Sequence, residues 1–190
     1  MSELNASVIK RFLNINGEHP MTAADDAYVT EHYATLGEVT DGRPETPDEL
    51  RGHMLAGRLP MASYVRSDGA EMVHRDYLEL PDKHGLDALP EVFGAEYASY
   101  IKGQYVCLKS VTPANMRRKS HLVDHIEALV ADARPGDADW CADLRSSADE
   151  LDALEPPFTA YDRLRFGGPV SRDRCIDAVR RDFPGATLSG

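Results

Sequence analysis

Ser63-Tyr64-Val65-Arg66-Ser67-Asp68-Gly69-Ala70-Glu71-Met72-Val73-His74 is the stretch on which the fold turns, because it reads as two extended runs joined by a tight turn. Asp-Gly is among the strongest two-residue signals for a primed hairpin turn. A turn at Asp68-Gly69 predicts that Arg66 faces Glu71, Val65 faces Met72, Tyr64 faces Val73 and Ser63 faces His74. Val65, Met72 and His74 then share one face and Tyr64, Val73 and Arg75 the other. The Arg66–Glu71 pair would be a cross-strand ion pair worth roughly 0.2–1 kcal/mol.

Outward from the hairpin the pattern is helical. Upstream, Val8, Ile9, Phe12 and Leu13 predict a short helix over Ser7 to Leu13, ended by the Asn16-Gly17 turn signal. Thr22 reads as the N-cap of a helix through Leu36, with Asp25 and Asp26 in its first turn and Gly37 as its stop. Gly37 to Glu45 reads as a turn-rich loop, and Thr46-Pro47-Asp48-Glu49 as cap, first-turn proline and acidic first turn of a helix to about Ala56. Downstream, Asp87 to Ile101 is predicted helical with a break near Gly94, and Gln104 to Ser110 is left open between helix and strand. Thr112-Pro113 opens the longest predicted helix, to about Arg134, with Met116, Val123, Ile126, Val130 and Ala133 as its stripe. Asp137 or Asp139 caps the next, whose face runs through Trp140, Leu144, Ala148, Leu151 and Leu154, and Ser171 caps a last helix over Arg172 to Asp182. The expected fold is mainly α, an α+β single domain over residues 1–190 with a small hairpin or short antiparallel sheet.

A chain of 190 residues, 42% hydrophobic, is long enough for one sizeable core. Its formal charge of −11 opposes a phosphate backbone or an anionic membrane, so neither nucleic acid nor membrane is an expected partner, and a small-molecule substrate is. Cys107, Cys141 and Cys175 are widely spaced and odd in number, which offers no disulfide framework. With no basic, then apolar, leader pattern, the expected compartment is the cytoplasm. Eight tyrosines and several apolar stripes leave room for a homodimer.

No metal and no cofactor is expected from the motifs. His121 and His125 have helical metal-ligand spacing but no adjacent glutamate, and they lie off the apolar stripe. Gly167-Gly168-Pro169 lacks the lysine and the preceding strand of a phosphate loop, and there is no G-x-S-x-G elbow.

The candidate site residues fall in two stretches. Around the hairpin, Arg58, Tyr64, His74, Asp76, Tyr77 and Glu79 bring a cation, an imidazole, phenols and carboxylates together. Glu79, in the apolar row Tyr77-Leu78-Glu79-Leu80, is expected to be a buried general acid–base, with His74 sharing that work and Arg58 assisting. Tyr64, Tyr77 and Asp76 are substrate-binding candidates. In the Tyr161 to Arg172 loop, Arg165 and Arg172 could clamp a substrate carboxylate. The plainer reading gives these arginines structural ion pairs, makes His74 a satisfied core histidine and Glu79 a solvated charge.

Arg58-Leu59-Pro60, followed by Ser63-Tyr64-Val65 and Asp68-Gly69, together with the Tyr161 to Arg172 run, resembles an uncharacterised family associated with bacterial natural-product biosynthesis. More loosely, the chain is similar to the β-carboline-forming Pictet–Spengler cyclases, which employ an Arg, a His and an essential Glu around tryptophan. That resemblance maps onto Arg58, His74 and either Glu79 or Glu91. It implies iminium formation between an amine and an aldehyde, then ring closure, with Glu79 moving protons and Arg58 or Arg165 holding a carboxylate. The leading expectation is therefore a cofactor-independent condensing or cyclising enzyme of secondary metabolism, acting on an aromatic amino-acid-derived amine. A non-catalytic small-molecule-binding or accessory protein is the alternative. A helical DNA-binding regulator is a third, opposed by the charge.

Overall fold

Side-chain caps set most of the helix starts. In the computed structural model, which describes residues 2–187, Ser2 caps α1 (Glu3–Asn16) by accepting the Asn5 N–H. Met1 and residues 188–190, assigned above to the same domain, lie outside the described residues. Thr22 and Asp25 form a reciprocal capping box on α2 (Ala23–His32). The same device recurs as Thr35 with Glu38 on α3 (Leu36–Val39), and as Thr46 with Glu49 on α4 (Pro47–Leu55).

The second helix is shorter than its sequence pattern suggests. Tyr33 turns extended, and the chain enters a two-residue strand β1 (Ala34–Thr35) before restarting as α3, so Gly37 lies inside a helix and is not a stop. β1 pairs with β3 (Glu71–Val73), which also pairs with β2 (Tyr64–Val65), giving a three-stranded antiparallel sheet in the order β1-β3-β2.

The hairpin forms, one residue out of the expected register. Tyr64 faces Met72 and Val65 faces Glu71. The loop has three residues, Ser67-Asp68-Gly69: Arg66 N–H donates to Ala70 O at 3.0 Å, Gly69 N–H donates to Arg66 O at 2.8 Å, and Gly69 adopts φ +85. A turn followed by one left-handed glycine is the second common hairpin solution, and the Asp68 carboxylate favours it by accepting the Ala70 N–H at 3.1 Å. The slip also reassigns the charges. Arg66 pairs with Asp68, while the buried Glu71 takes a bidentate bond from Arg51 at 2.7 and 2.8 Å.

The rest is helical: α5 (Glu79–His84), α6 (Leu89–Phe93), α7 (Tyr97–Ile101), α8 (Pro113–Ala131), α9 (Ala138–Leu154), α10 (Ala160–Arg165), α11 (Ala178–Asp182) and α12 (Pro184–Thr187). The fold is mainly α with a small sheet, as its patterning indicates. Asp87 to Ile101 is broken at Gly94, and Gln104 to Ser110 forms neither helix nor strand. Asp137 is the cap of α9. Tyr161 to Arg172 is less of a loop than expected, because α10, started by a Thr159–Asp162 capping box, runs through its first half. Ser171 does not cap: its hydroxyl donates to Glu155 at 2.5 Å, and Asp173 accepts the Val170 N–H instead as the chain enters a π turn over Asp173–Asp177.

Adjacent strand residues point to opposite faces, so the sheet divides two apolar clusters. Val73 packs with Leu50, Met54, Leu59, Phe93 and Leu108 on one side; Met72 packs with Phe12, Val29, Tyr33, Tyr64 and Tyr161 on the other. A third cluster joins Leu122 and Ile126 of α8 to Trp140, Leu144 and Leu151 of α9 and to Ile176 and Val179. Val130, expected in the α8 stripe, is exposed, and Leu122 takes an inward position. No helix among the described residues is long and apolar enough to cross a membrane.

Candidate functional site

Three segments close around one pocket. The first is the exit of β3, where Tyr77 N–H donates to His74 O and Glu79 N–H to Asp76 O, both at 3.0 Å, so that successive turns carry His74, Asp76, Tyr77 and Glu79 to one wall. The second is Pro60, Met61 and Ser63, leading into β2. The third runs from Tyr100 through Gly103 and Tyr105 to Val111 and Thr112. Together with Leu80 they surround about 550 Å³, part of it open to bulk water.

The second and third segments touch through backbone. Met61 N–H donates to Ile101 O at 3.0 Å, and a Cβ placed on Gly103 would lie 2.1 Å from Met61 O. With φ at +71 as well, position 103 requires glycine on both steric counts. Tyr77 donates its phenol to Pro60 O at 2.6 Å, and burial pushes its pKa well above the ordinary phenol value. Tyr100 stacks on Phe93 with ring centroids 3.8 Å apart.

His74 is held at both ring nitrogens. Nε2 lies 2.9 Å from Leu108 O, which can only accept, so Nε2 carries the proton; Nδ1, 3.3 Å from Ser63 Oγ, then accepts from that hydroxyl. Burial holds its pKa below the ordinary imidazole value, against the opposing pull of the Leu108 carbonyl and Asp76. It is thus a neutral, oriented imidazole that reaches the pocket through Ser63. Asp76 is half-buried. Glu79 is exposed at the start of α5, which corrects the expectation of a carboxylate buried in an extended apolar row. Among the described residues, neither carboxylate has an ion pair or a hydrogen bond from a side chain.

Of the candidates from sequence, His74, Asp76, Tyr77 and Glu79 are brought together here. The others are elsewhere. Arg58 pairs with Asp87 at 2.6 Å, and Glu91 is exposed on α6. Arg172 pairs with Asp152 at 2.6 Å. Tyr64 and Arg165 are fully buried around Asp162, which accepts from Tyr64 Oη at 3.0 and 3.1 Å, from Thr159 N–H at 3.0 Å and from Arg165 Nε at 3.1 Å. Arg165 also lies 4.4 Å from the Tyr64 ring centroid and donates to Ser63 O at 2.8 Å. It therefore braces the backbone behind the pocket and does not face a ligand. Ser63, Met61, Tyr100, Gly103, Tyr105 and Thr112 were not singled out as site residues from sequence; only the glycine among apolar residues at 103 hinted at a close backbone approach.

This arrangement defines a mainly helical protein with an acidic, tyrosine-lined pocket beside a small sheet. Residues 67–184, more than half of the chain, match the model of a family of unknown function, DUF6058, and the chain belongs to that family. The matched region contains His74, Asp76, Tyr77 and Glu79 and the Tyr100 to Thr112 wall. No curated protein and no solved structure matches the chain.

Proposed function

We propose that the chain is an enzyme of natural-product biosynthesis that uses acid–base chemistry to condense or cyclise an aromatic amine, with Pictet–Spengler ring closure as the form nearest the resemblance in its sequence. The observation that carries this reading is the wall itself: two carboxylates without ion-pair partners among the described residues, set among three tyrosines. Amine and aldehyde add to give a carbinolamine. Glu79 in its acid form protonates the departing hydroxyl, and water leaves as the iminium forms. Asp76 offsets the new positive charge beside the aromatic rings. The ring carbon attacks the iminium carbon, and the Glu79 carboxylate takes the proton released when aromaticity returns. Neutral His74 keeps Ser63 oriented on the wall throughout.

The test is product formation from tryptamine and an aliphatic aldehyde, followed by mass spectrometry. Wild type should exceed the uncatalysed rate, and Glu79→Gln should lose roughly 10²-fold or more of that excess, as removal of a general acid–base group does. An unchanged rate in the variant sinks the assignment. A second reading, binding without turnover, is favoured by the exposure of Glu79, since water reaches a carboxylate that a closed catalytic site would shield from it. In that case ligand binds and neither protein accelerates the reaction.

A further inference from the structure

We infer that the pocket selects an amine that carries no carboxylate: a monocation with a flat aromatic body, not the parent amino acid. The inference rests on the proposed amine chemistry and deepens it by fixing the substrate class.

Hydrogen-bond polarity on the wall points this way. The donors on the β3 side of the wall are already engaged within the protein: Nε2–H of His74 by Leu108 O, the Ser63 hydroxyl by His74 Nδ1, and the Tyr77 phenol by Pro60 O. The acceptors are open, because the Asp76 and Glu79 carboxylates have no hydrogen bond or ion pair from a side chain among the described residues. Two open carboxylates recognise a ligand rich in N–H donors, which an ammonium is. The rings of Tyr100 and Tyr105 add faces on which a cation or a flat ring can lie.

Charge excludes the carboxylate. None of the residues lining the pocket is Lys or Arg. The arginines expected to clamp a carboxylate are engaged elsewhere, Arg58 by Asp87 and Arg165, fully buried, by Asp162. A substrate carboxylate would lie beside two like charges with no cation from the wall. The net charge of −11 adds long-range attraction for a cation and repulsion for an anion.

Isothermal titration at low ionic strength and pH 7, with four matched probes, tests this on the full chain: 2-phenylethylamine, phenylalanine, 2-phenylethanol and 3-phenylpropanoate. The expected result is that 2-phenylethylamine binds at least tenfold more tightly than phenylalanine, and that 3-phenylpropanoate gives no saturable binding. Asp76→Asn and Glu79→Gln should each weaken the amine several-fold and 2-phenylethanol by clearly less, which separates lost charge from a damaged pocket. Phenylalanine binding as tightly as the amine, or 3-phenylpropanoate binding best, overturns the inference. So does the absence of saturable amine binding. The acid–base reading stands or falls separately, on whether Glu79→Gln slows the amine–aldehyde condensation with whichever amine, carboxylated or not, the protein accepts.

Discussion

Replacing Asp162 by Asn should cost more stability than any single surface change in this protein, although the two side chains are nearly the same shape. Asp162 is fully buried, and its carboxylate joins α10 to β2 by accepting from Tyr64, Thr159 and Arg165. Arg165 is equally buried, so removing the negative charge leaves a guanidinium in the interior with no counter-charge beside it. Breaking such a pair from one side costs about 3–5 kcal/mol. In a chain of this size 1 kcal/mol lowers the melting temperature by about 2–4 °C, so the expected fall is roughly 6–20 °C. Circular dichroism melts, backed by urea titrations, measure it. The double variant Asp162→Asn with Arg165→Met separates charge from packing: if the uncompensated cation causes the loss, the double variant is more stable than the sum of the single changes by about 1–3 kcal/mol. A loss below about 1 kcal/mol for Asp162→Asn, or strict additivity with Arg165→Met, would refute the reasoning.

Two further outcomes follow from the pocket wall. Gly103→Ala puts a Cβ 2.1 Å from Met61 O at φ +71, so it should cost more than the ~1–2 kcal/mol of left-handed backbone alone and should weaken ligand binding, measured by urea melts and titration of the same protein. His74 gives a pH dependence: its folded pKa is depressed below 6.5, so between those values the unfolded chain binds a proton that the native chain does not. Its contribution to stability is therefore complete above pH 6.5 and is lost as the pH falls from there through the folded value. Urea-derived stabilities should fall more steeply between pH 7.5 and 5 for wild type than for His74→Gln. Equal slopes would mean that His74 is not buried as a neutral base.

What the sequence disclosed divides along physical lines. Helix starts at Thr46-Pro47 and Thr112-Pro113 were legible because cap and proline act within one turn of chain. The same local logic operates at Thr159-Ala160-Tyr161-Asp162, where the arginines and glycines that follow mask it with the look of a loop. The hairpin was legible as a hairpin but not in its register, because Asp68-Gly69 suits both a two-residue turn and the final positions of a three-residue one. One wall of the pocket could be read, since His74, Asp76, Tyr77 and Glu79 are close neighbours in sequence. Tyr100, Gly103, Tyr105 and Thr112 come from a stretch with little regular structure, placed by contacts to Met61 and His74 some 30 to 40 residues away, and no local periodicity announces such contacts. The arginines misled for a related reason. A buried Arg165 side chain and a half-buried Arg58 look alike in sequence until their partners, Asp162 and Asp87, are known.

The most direct test of the central claim is an experimental structure of the protein with 2-phenylethylamine bound. Ligand density is expected between the β3 exit and the Tyr100 to Thr112 segment, with the amine nitrogen within about 3.2 Å of an Asp76 or Glu79 carboxylate oxygen. An empty pocket at saturating amine, or density confined to another surface, would contradict it.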